Sequence, residues 1–349
     1  MVATRTTASR TITTPPVDSR VVIRRSPQAD LALFALGGAG DYGENVSREL
    51  GVPLSAHEER DFEDGEHKMR PLVSVRNKDV FVLQSLYEDA THSINDKLCR
   101  LLFFLGAVRE ASAATVTVVL PYLAYARQDR RAQLRDPVTT RYVAALFEAV
   151  GVDRVVAMDV HNLAAYDNSF RCRKEHLEAT ELFAEHFAQE IGDREVAVVS
   201  PDAGGIGRAE RFRASLALRL RRPITSAFVE KYRTDGTLTG EAFGGDVRGR
   251  SAIIYDDMIS TGATVARAAA ACRKHGAKEI FVAATHGLFV GRANALLTSA
   301  QLDAIVVTDT VPTARFPGIG IDVDVKILET APLVAKAIEH IHSGAEEVG

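Results

Sequence analysis

The sequence predicts an α/β protein built from two doubly wound, parallel-sheet domains. Three observations carry this. Short apolar runs rich in β-branched residues alternate with longer helical patterns from Leu31 onward. Those runs are continuously apolar, as expected of strands covered on both faces. The chain's 349 residues exceed what one core usually supports.

The predicted strands are Leu31–Leu36, Val80–Gln84, Val116–Leu120, Val155–Met158, Val196–Val199, Ile253–Tyr255, Ile280–Ala284 and Ala304–Val307. The two halves echo each other. In the first, Val80–Gln84 leads to helix Ser93–Leu105, then Gly106-Ala107, then Val116–Leu120. In the second, Ile253–Tyr255 leads to helix Thr264–His275, then Gly276-Ala277, then Ile280–Ala284. Each Gly-Ala falls where a helix C-cap glycine belongs. Residues 1–29, rich in Thr, Ser, Arg and Pro, read as a disordered extension with room for a short strand at Val21 to Ile23, in preference to a transit peptide. The expected domains are 30–175 and 176–330, with the last helix, about 331–343, packing back on the first.

Composition narrows the function. The chain is 46% apolar and 25% charged, ordinary for a soluble globular protein. A net charge of -4 provides no global basic field, so nucleic acid is not an expected partner. The longest apolar region is interrupted by Arg109 and Glu110, so no transmembrane helix is expected. Three widely spaced cysteines without a CxxC pair argue against a disulfide framework and fit a reducing, cytoplasmic setting.

The most informative segment runs from Ser251 to Thr264. The sequence reads as an apolar strand ending in Asp256 and Asp257, and the loop Ser260, Thr261, Gly262, Ala263, Thr264 then opens a helix. Open α/β sheets bind ligands at the carboxyl ends of strands. A helix N-terminus offers unpaired N–H groups and a positive dipole end to a phosphate. Gly262 lets the backbone approach closely, and the hydroxyls of Ser260, Thr261 and Thr264 can donate. The acids suit sugar hydroxyls or a metal. The plainer reading is a capped helix with Thr264 as N-cap.

This segment resembles the phosphoribosyl-binding motif of the phosphoribosyltransferase type I-like fold. Four further segments, in order, are similar to one family, the ribose-phosphate diphosphokinases or phosphoribosyl pyrophosphate (PRPP) synthetases. The resemblance spans roughly Leu31 to Pro312. It implies that Phe62, Asp64, Gly65 and Glu66 form an ATP-contacting loop supplied by a neighbouring subunit. It implies that Arg127 and Gln128, in Tyr125–Arg131, bind ATP; guanidinium forks do match phosphate oxygens. His161 and Asp202 match the family's magnesium ligands, and Mg2+ is the implied cofactor. Lys231 and Arg233 match a mobile catalytic flap, with Arg233 also reaching ribose 5-phosphate. The implied partners are ATP, ribose 5-phosphate and further copies of the chain, in a homo-oligomer assembled from dimers, with a hexamer one form.

Some positions depart from the family pattern. Ser260 stands where an Asp is usual, Ala263 replaces a Gly, and the run Asn162–Phe170 differs throughout. Three rivals compete. Gly38-Ala-Gly40-Asp-Tyr-Gly43 fits a dinucleotide fingerprint, but the acid such a site needs is not clearly placed. A phosphoribosyltransferase would use the same Asp256–Thr264 loop yet gives the Arg127–Arg131 cluster no role. A non-catalytic regulatory subunit would not need Lys231, Arg233, His161 and Asp202 together.

Overall fold

The computed structural model describes residues 30–37, 40–234, 237–312 and 323–344. The N-terminal extension, including Val21 to Ile23, lies outside the described residues, as does Gly38. Two parallel sheets organise the chain. The first has the order β1 (Leu31–Ala35), β4 (Asp79–Leu83), β5 (Thr115–Leu120), β6 (Arg154–Met158), β7 (Arg173–Leu177). The second has the order β10 (Thr237–Gly245), β9 (Thr225–Thr234), β8 (Val196–Ser200), β11 (Ser251–Ile259), β12 (Glu279–Gly287), β13 (Ala304–Thr308), β14 (Asp324–Leu328). In the second sheet only the β9–β10 pair is antiparallel. A separate antiparallel hairpin joins β2 (His57–Asp61) to β3 (His67–Pro71).

All eight predicted strands form; seven lie inside the sheets and β1 is an edge of the first. Their residues are buried almost without exception, which is why unbroken apolar runs mark them. The sequence reading missed β2, β3, β7, β9, β10 and β14. Four of these are polar or half-exposed: β2 reads HEERD, β3 HKMRP, β7 RKEHL and β14 DVKIL.

Two helix boundaries need correction. The helix predicted to stop at Leu105 is α2, Ile94–Glu110, and Gly106 lies inside it. A fully buried Val108 and the bond from Arg109 Nε to the Gly151 carbonyl, 2.9 Å, secure the extra turn. At its start Ser93 and Asp96 form a reciprocal capping box. In the second half the helix α7 spans Ala263–Lys274, and Gly276 does follow it at φ 88°, the left-handed conformation that glycine adopts without strain.

The glycine-rich entry to α1 (Gly40–Leu50) has a packing explanation. A Cβ on Gly43 would lie 2.3 Å from the Ala35 Cβ, so glycine is what lets α1 lie on β1. The last helix, α9 (Ala331–Ser343), rests against α1. Tyr42 and Thr330 hydroxyls share a buried 2.9 Å hydrogen bond, and His342 Nδ1 lies 3.0 Å from Asp79 Oδ2.

The cores of the two sheets are not separate. One apolar cluster contains Leu33, Phe81, Val119 and Val156 of the first sheet with Val198, Ile253, Tyr255 and Phe281 of the second. Helix α5 (Thr180–Ile191) supplies Phe183 and Phe187 between them. Where the carboxyl ends of the strands meet, the joint turns polar. Asp159 Oδ2 accepts from Thr285 Oγ1 at 2.6 Å and from the Ala179 amide at 3.0 Å. His286 places Nε2 3.1 Å from the Met158 carbonyl and Nδ1 2.9 Å from Thr310 Oγ1, while Ser85 Oγ donates to the Thr310 carbonyl at 2.6 Å. Burial lowers the pKa of His286, so it serves as a neutral ring with one donor and one acceptor.

Candidate active site

A cleft of about 930 Å³ opens where β6, β8 and β11 end. Contrary to the sequence reading, β11 does not end at the acids. It runs on through Asp256 and Asp257 and pairs with β12 as far as Ile259. Its other partner, β8, stops pairing at Ile254, so the acids stand on a strand extended past its neighbour. The turn Ser260–Gly262 is pinned from below, where Val290 N donates to the Ser260 carbonyl at 2.9 Å.

The N-cap of α7 is Gly262, not Thr264, at φ 78°. A Cβ there would meet Leu297 Cγ at 3.1 Å and would be strained by the backbone as well. No side chain caps this helix start. Its first N–H groups therefore face the cleft beside Ser260, Thr261 and Thr264, as an anion site requires.

The acid pair belongs to a buried ionic cluster. Asp257 Oδ2 lies 2.8 Å from His161 Nδ1, and Arg208 Nη1 donates to Asp257 Oδ1 at 3.0 Å and Asp256 Oδ1 at 3.3 Å. Arg208 Nη2 also donates to the His161 carbonyl at 3.1 Å. Burial would push the Asp257 carboxyl up, but the bond from His161 and the Arg208 charge hold it well below the usual carboxylate range. Burial and the adjacent Asp257 push Asp256 well up. The Asp257 bond raises His161 in spite of burial.

Asp202 follows β8 and accepts from the Gly205 amide through Oδ1 at 3.1 Å. On the opposite side, the segment after β5 turns at Tyr125, φ 63°, and brings Arg127 into the cleft. Asp129 there accepts from Asn162 Nδ2 at 2.6 Å, joining this arm to the segment after His161.

The cleft thus gathers Arg127, His161, Asp202, Asp256, Asp257 and Ser260 to Thr264. Gln128 is not among the lining residues; its Oε1 accepts from Thr139 Oγ1 at 2.5 Å. Phe62, Asp64, Gly65 and Glu66 form the tip of the β2–β3 hairpin and do not line the cleft. There Phe62 is exposed with the Arg60 guanidinium 4.8 Å over its ring, and Gly65 takes φ 90°. Lys231 and Arg233 lie on β9, paired with Glu241 and Leu238 of β10; their side chains lie outside the described residues. The stretch after Arg233 includes strand β10.

Sequence reasoning missed Arg208, Asp129, Asn162 and Arg211, all at the cleft. Only Asp129 carried a local signal, since it sits inside the arginine cluster. Among the described residues no group of three or more His, Cys, Asp or Glu side chains is arranged to hold a metal.

Parallel strands, an acid pair on the extended end of β11, a tight turn and an uncapped helix place the chain among enzymes of the phosphoribosyltransferase type I-like fold. The model for the N-terminal domain of ribose phosphate pyrophosphokinase matches residues 31–151, and that for the phosphoribosyl synthetase-associated domain matches residues 239–348. A ribose-phosphate pyrophosphokinase of Caldanaerobacter subterraneus is 38% identical over 317 residues, covering 90% of this chain and 95% of the relative. A putative ribose-phosphate pyrophosphokinase 2 of Streptococcus agalactiae is 38% identical over 314 residues, covering 89% and 92%. The crystal structure of phosphoribosylpyrophosphate synthetase from Mycobacterium smegmatis superposes with a TM-score of 0.80 at 34% identity, covering 90% of this chain and all of that one. The chain belongs to the ribose-phosphate pyrophosphokinase family.

Proposed function

We propose that the chain transfers the β,γ-diphosphate of magnesium-bound ATP to the anomeric hydroxyl of ribose 5-phosphate, yielding PRPP and AMP. The anomeric oxygen attacks the β-phosphorus, the bond from that phosphorus to the α-phosphate oxygen breaks, and AMP leaves. The observation that carries this reading is one cleft with two complementary walls. Asp256, Asp257 and the uncapped turn Ser260–Thr264 suit a phosphorylated sugar; Arg127 across the cleft suits a polyphosphate.

In this reading Ser260, Thr261, Gly262, Ala263 and Thr264 take the 5-phosphate, and the acid pair takes ribose hydroxyls. Arg127 and Gln128 hold ATP. Because Phe62, Asp64, Gly65 and Glu66 do not line their own cleft, they serve a neighbouring copy in a homo-oligomer. Lys231 and Arg233, matched to the family's flap, stabilise charge on the transferring group and the leaving AMP. A cytoplasmic setting supplies both substrates, and among the described residues no helix is long and apolar enough to cross a membrane.

The residues fit magnesium as a substrate-shared ion. His161 gives Nδ1 to Asp257, the arrangement that orients a metal-binding imidazole and leaves Nε2 for the ion. Asp202 keeps Oδ2 while Oδ1 caps Gly205. With two protein ligands, His161 and Asp202, substrate phosphates and waters would supply the remaining oxygens that magnesium prefers. When bound, the ion neutralises phosphate charge. The test is direct. Purified protein with ATP, magnesium and ribose 5-phosphate releases AMP and PRPP one for one; no AMP, or AMP independent of the sugar, rejects the proposal.

A further inference from the structure

We infer that Arg208 is a positioning residue for ribose 5-phosphate, setting the orientation of the acid pair and tying it to the opposite wall of the cleft. The inference rests on the reading of Asp256 and Asp257 as the sugar-hydroxyl site. Arg208 comes from α6 (Ile206–Leu220), just after Asp202, and its side chain is 13% exposed. Its guanidinium engages three groups from two strands' ends: Asp256 Oδ1, Asp257 Oδ1 and the His161 carbonyl. A planar fork of fixed donors can hold all three at once, which a flexible ammonium cannot.

The consequence is a division of labour between the acids. Both oxygens of Asp257 are engaged, one by Arg208 and one by His161. Asp256 Oδ1 accepts from Arg208 and from the Asp257 amide at 2.9 Å. Asp256 lines the cleft, and its carboxyl is also bonded to that of Asp257. Arg208 therefore fixes the rotation of both carboxyl groups beside the sugar site. Without it, no cation holds the two adjacent carboxyl groups in one orientation, and they can rotate. His161 would also lose the contact that fixes its backbone relative to Asp257, so the sugar wall and the ATP wall would lose a common reference.

Three proteins decide the matter: wild type, Arg208→Lys and Arg208→Gln, each assayed for ribose 5-phosphate-dependent AMP release, with thermal melting recorded. Arg208→Gln is expected to raise the KM for ribose 5-phosphate by about tenfold or more while the KM for ATP stays within about twofold, the split expected when one substrate's contacts are disordered. Arg208→Lys, which keeps the charge and loses the fork, is expected to melt near the wild type and to fall between the two in KM. Should Arg208→Gln fail to fold, the lysine variant alone decides. A ribose 5-phosphate KM unchanged in every variant that folds, with only the melting temperature lowered, overturns the inference and leaves the proposed reaction standing. A wild type without sugar-dependent AMP release overturns both.

Discussion

His161 Nδ1 and Asp257 Oδ2 lie 2.8 Å apart although 96 residues separate them, so the bond joins the end of β6 in one sheet to β11 in the other. Asp257 raises the pKa of His161 against the opposing effect of burial. The sign follows from linkage. A histidine whose folded pKa exceeds its unfolded value of about 6.5 stabilises the fold fully below that value and loses the contribution as pH rises through the folded pKa. The melting-temperature penalty of His161→Gln should therefore be larger at pH 6 than at pH 9. Equal penalties at the two values would show that the pair carries no charge-dependent stability.

The two acids should respond differently to substitution. Asp257→Ala leaves Arg208 and His161 without their shared buried partner and should cost about 3 kcal/mol in urea denaturation, typical of breaking a buried pair from one side. Asp256→Asn should cost little stability, because burial and Asp257 already favour its neutral form. Its effect should appear in the KM for ribose 5-phosphate. The reverse ranking in denaturation would contradict the assignment.

Gly262→Ala places a Cβ against Leu297 at a left-handed backbone position. We expect a loss of about 1–2 kcal/mol, the usual cost of holding an L-residue there. A weaker KM for ribose 5-phosphate should accompany it, since the same turn aims the amides of α7. Thermal melting and steady-state kinetics on one preparation would separate the two effects.

Lys231→Ala should lower kcat by about 100-fold or more with the KM for ATP changed less than about threefold, as for a group that acts on transition-state charge. A change confined to KM would make Lys231 a ground-state contact instead.

The hairpin tip gives a test of assembly. If Phe62 serves a neighbouring cleft, co-expressed Phe62→Ala and Arg127→Ala chains should show more activity than either variant alone, because some mixed interfaces contain two intact groups. Activity no higher than the average of the two would place both residues in one chain's site.

The sheet interiors were legible because burial on two faces leaves an unbroken apolar run: Val116–Leu120 and Ile253–Tyr255 admit little else. The polar edge strands and the hairpin strands were not. Arg173–Leu177 spells RKEHL, whose charges face solvent or partners such as Arg154, so only the finished sheet reveals it as a strand. Gly106 looked like a helix stop because its neighbours' tertiary contacts, Val108 in the core and Arg109 on Gly151, are invisible in one dimension. In the site, Asp256 to Thr264 was readable since acids, turn and helix start are contiguous. Arg208 was not readable. It is one arginine among several on a helix, and its meaning comes from Asp256, Asp257 and His161, placed there by other strands.

The polar joint at Asp159 has a mechanical consequence. Thr285 on the second sheet and Ala179 beyond the first both donate to the same buried carboxylate oxygen. Sliding one sheet along the other by a single residue would break both bonds and leave a buried polar oxygen without its donors, a costly outcome. The joint behaves as a keyed coupling, not a hinge. The distance between the walls of the cleft is therefore set by the frame, and any adjustment to the size of the bound molecules falls to the segments that overhang it.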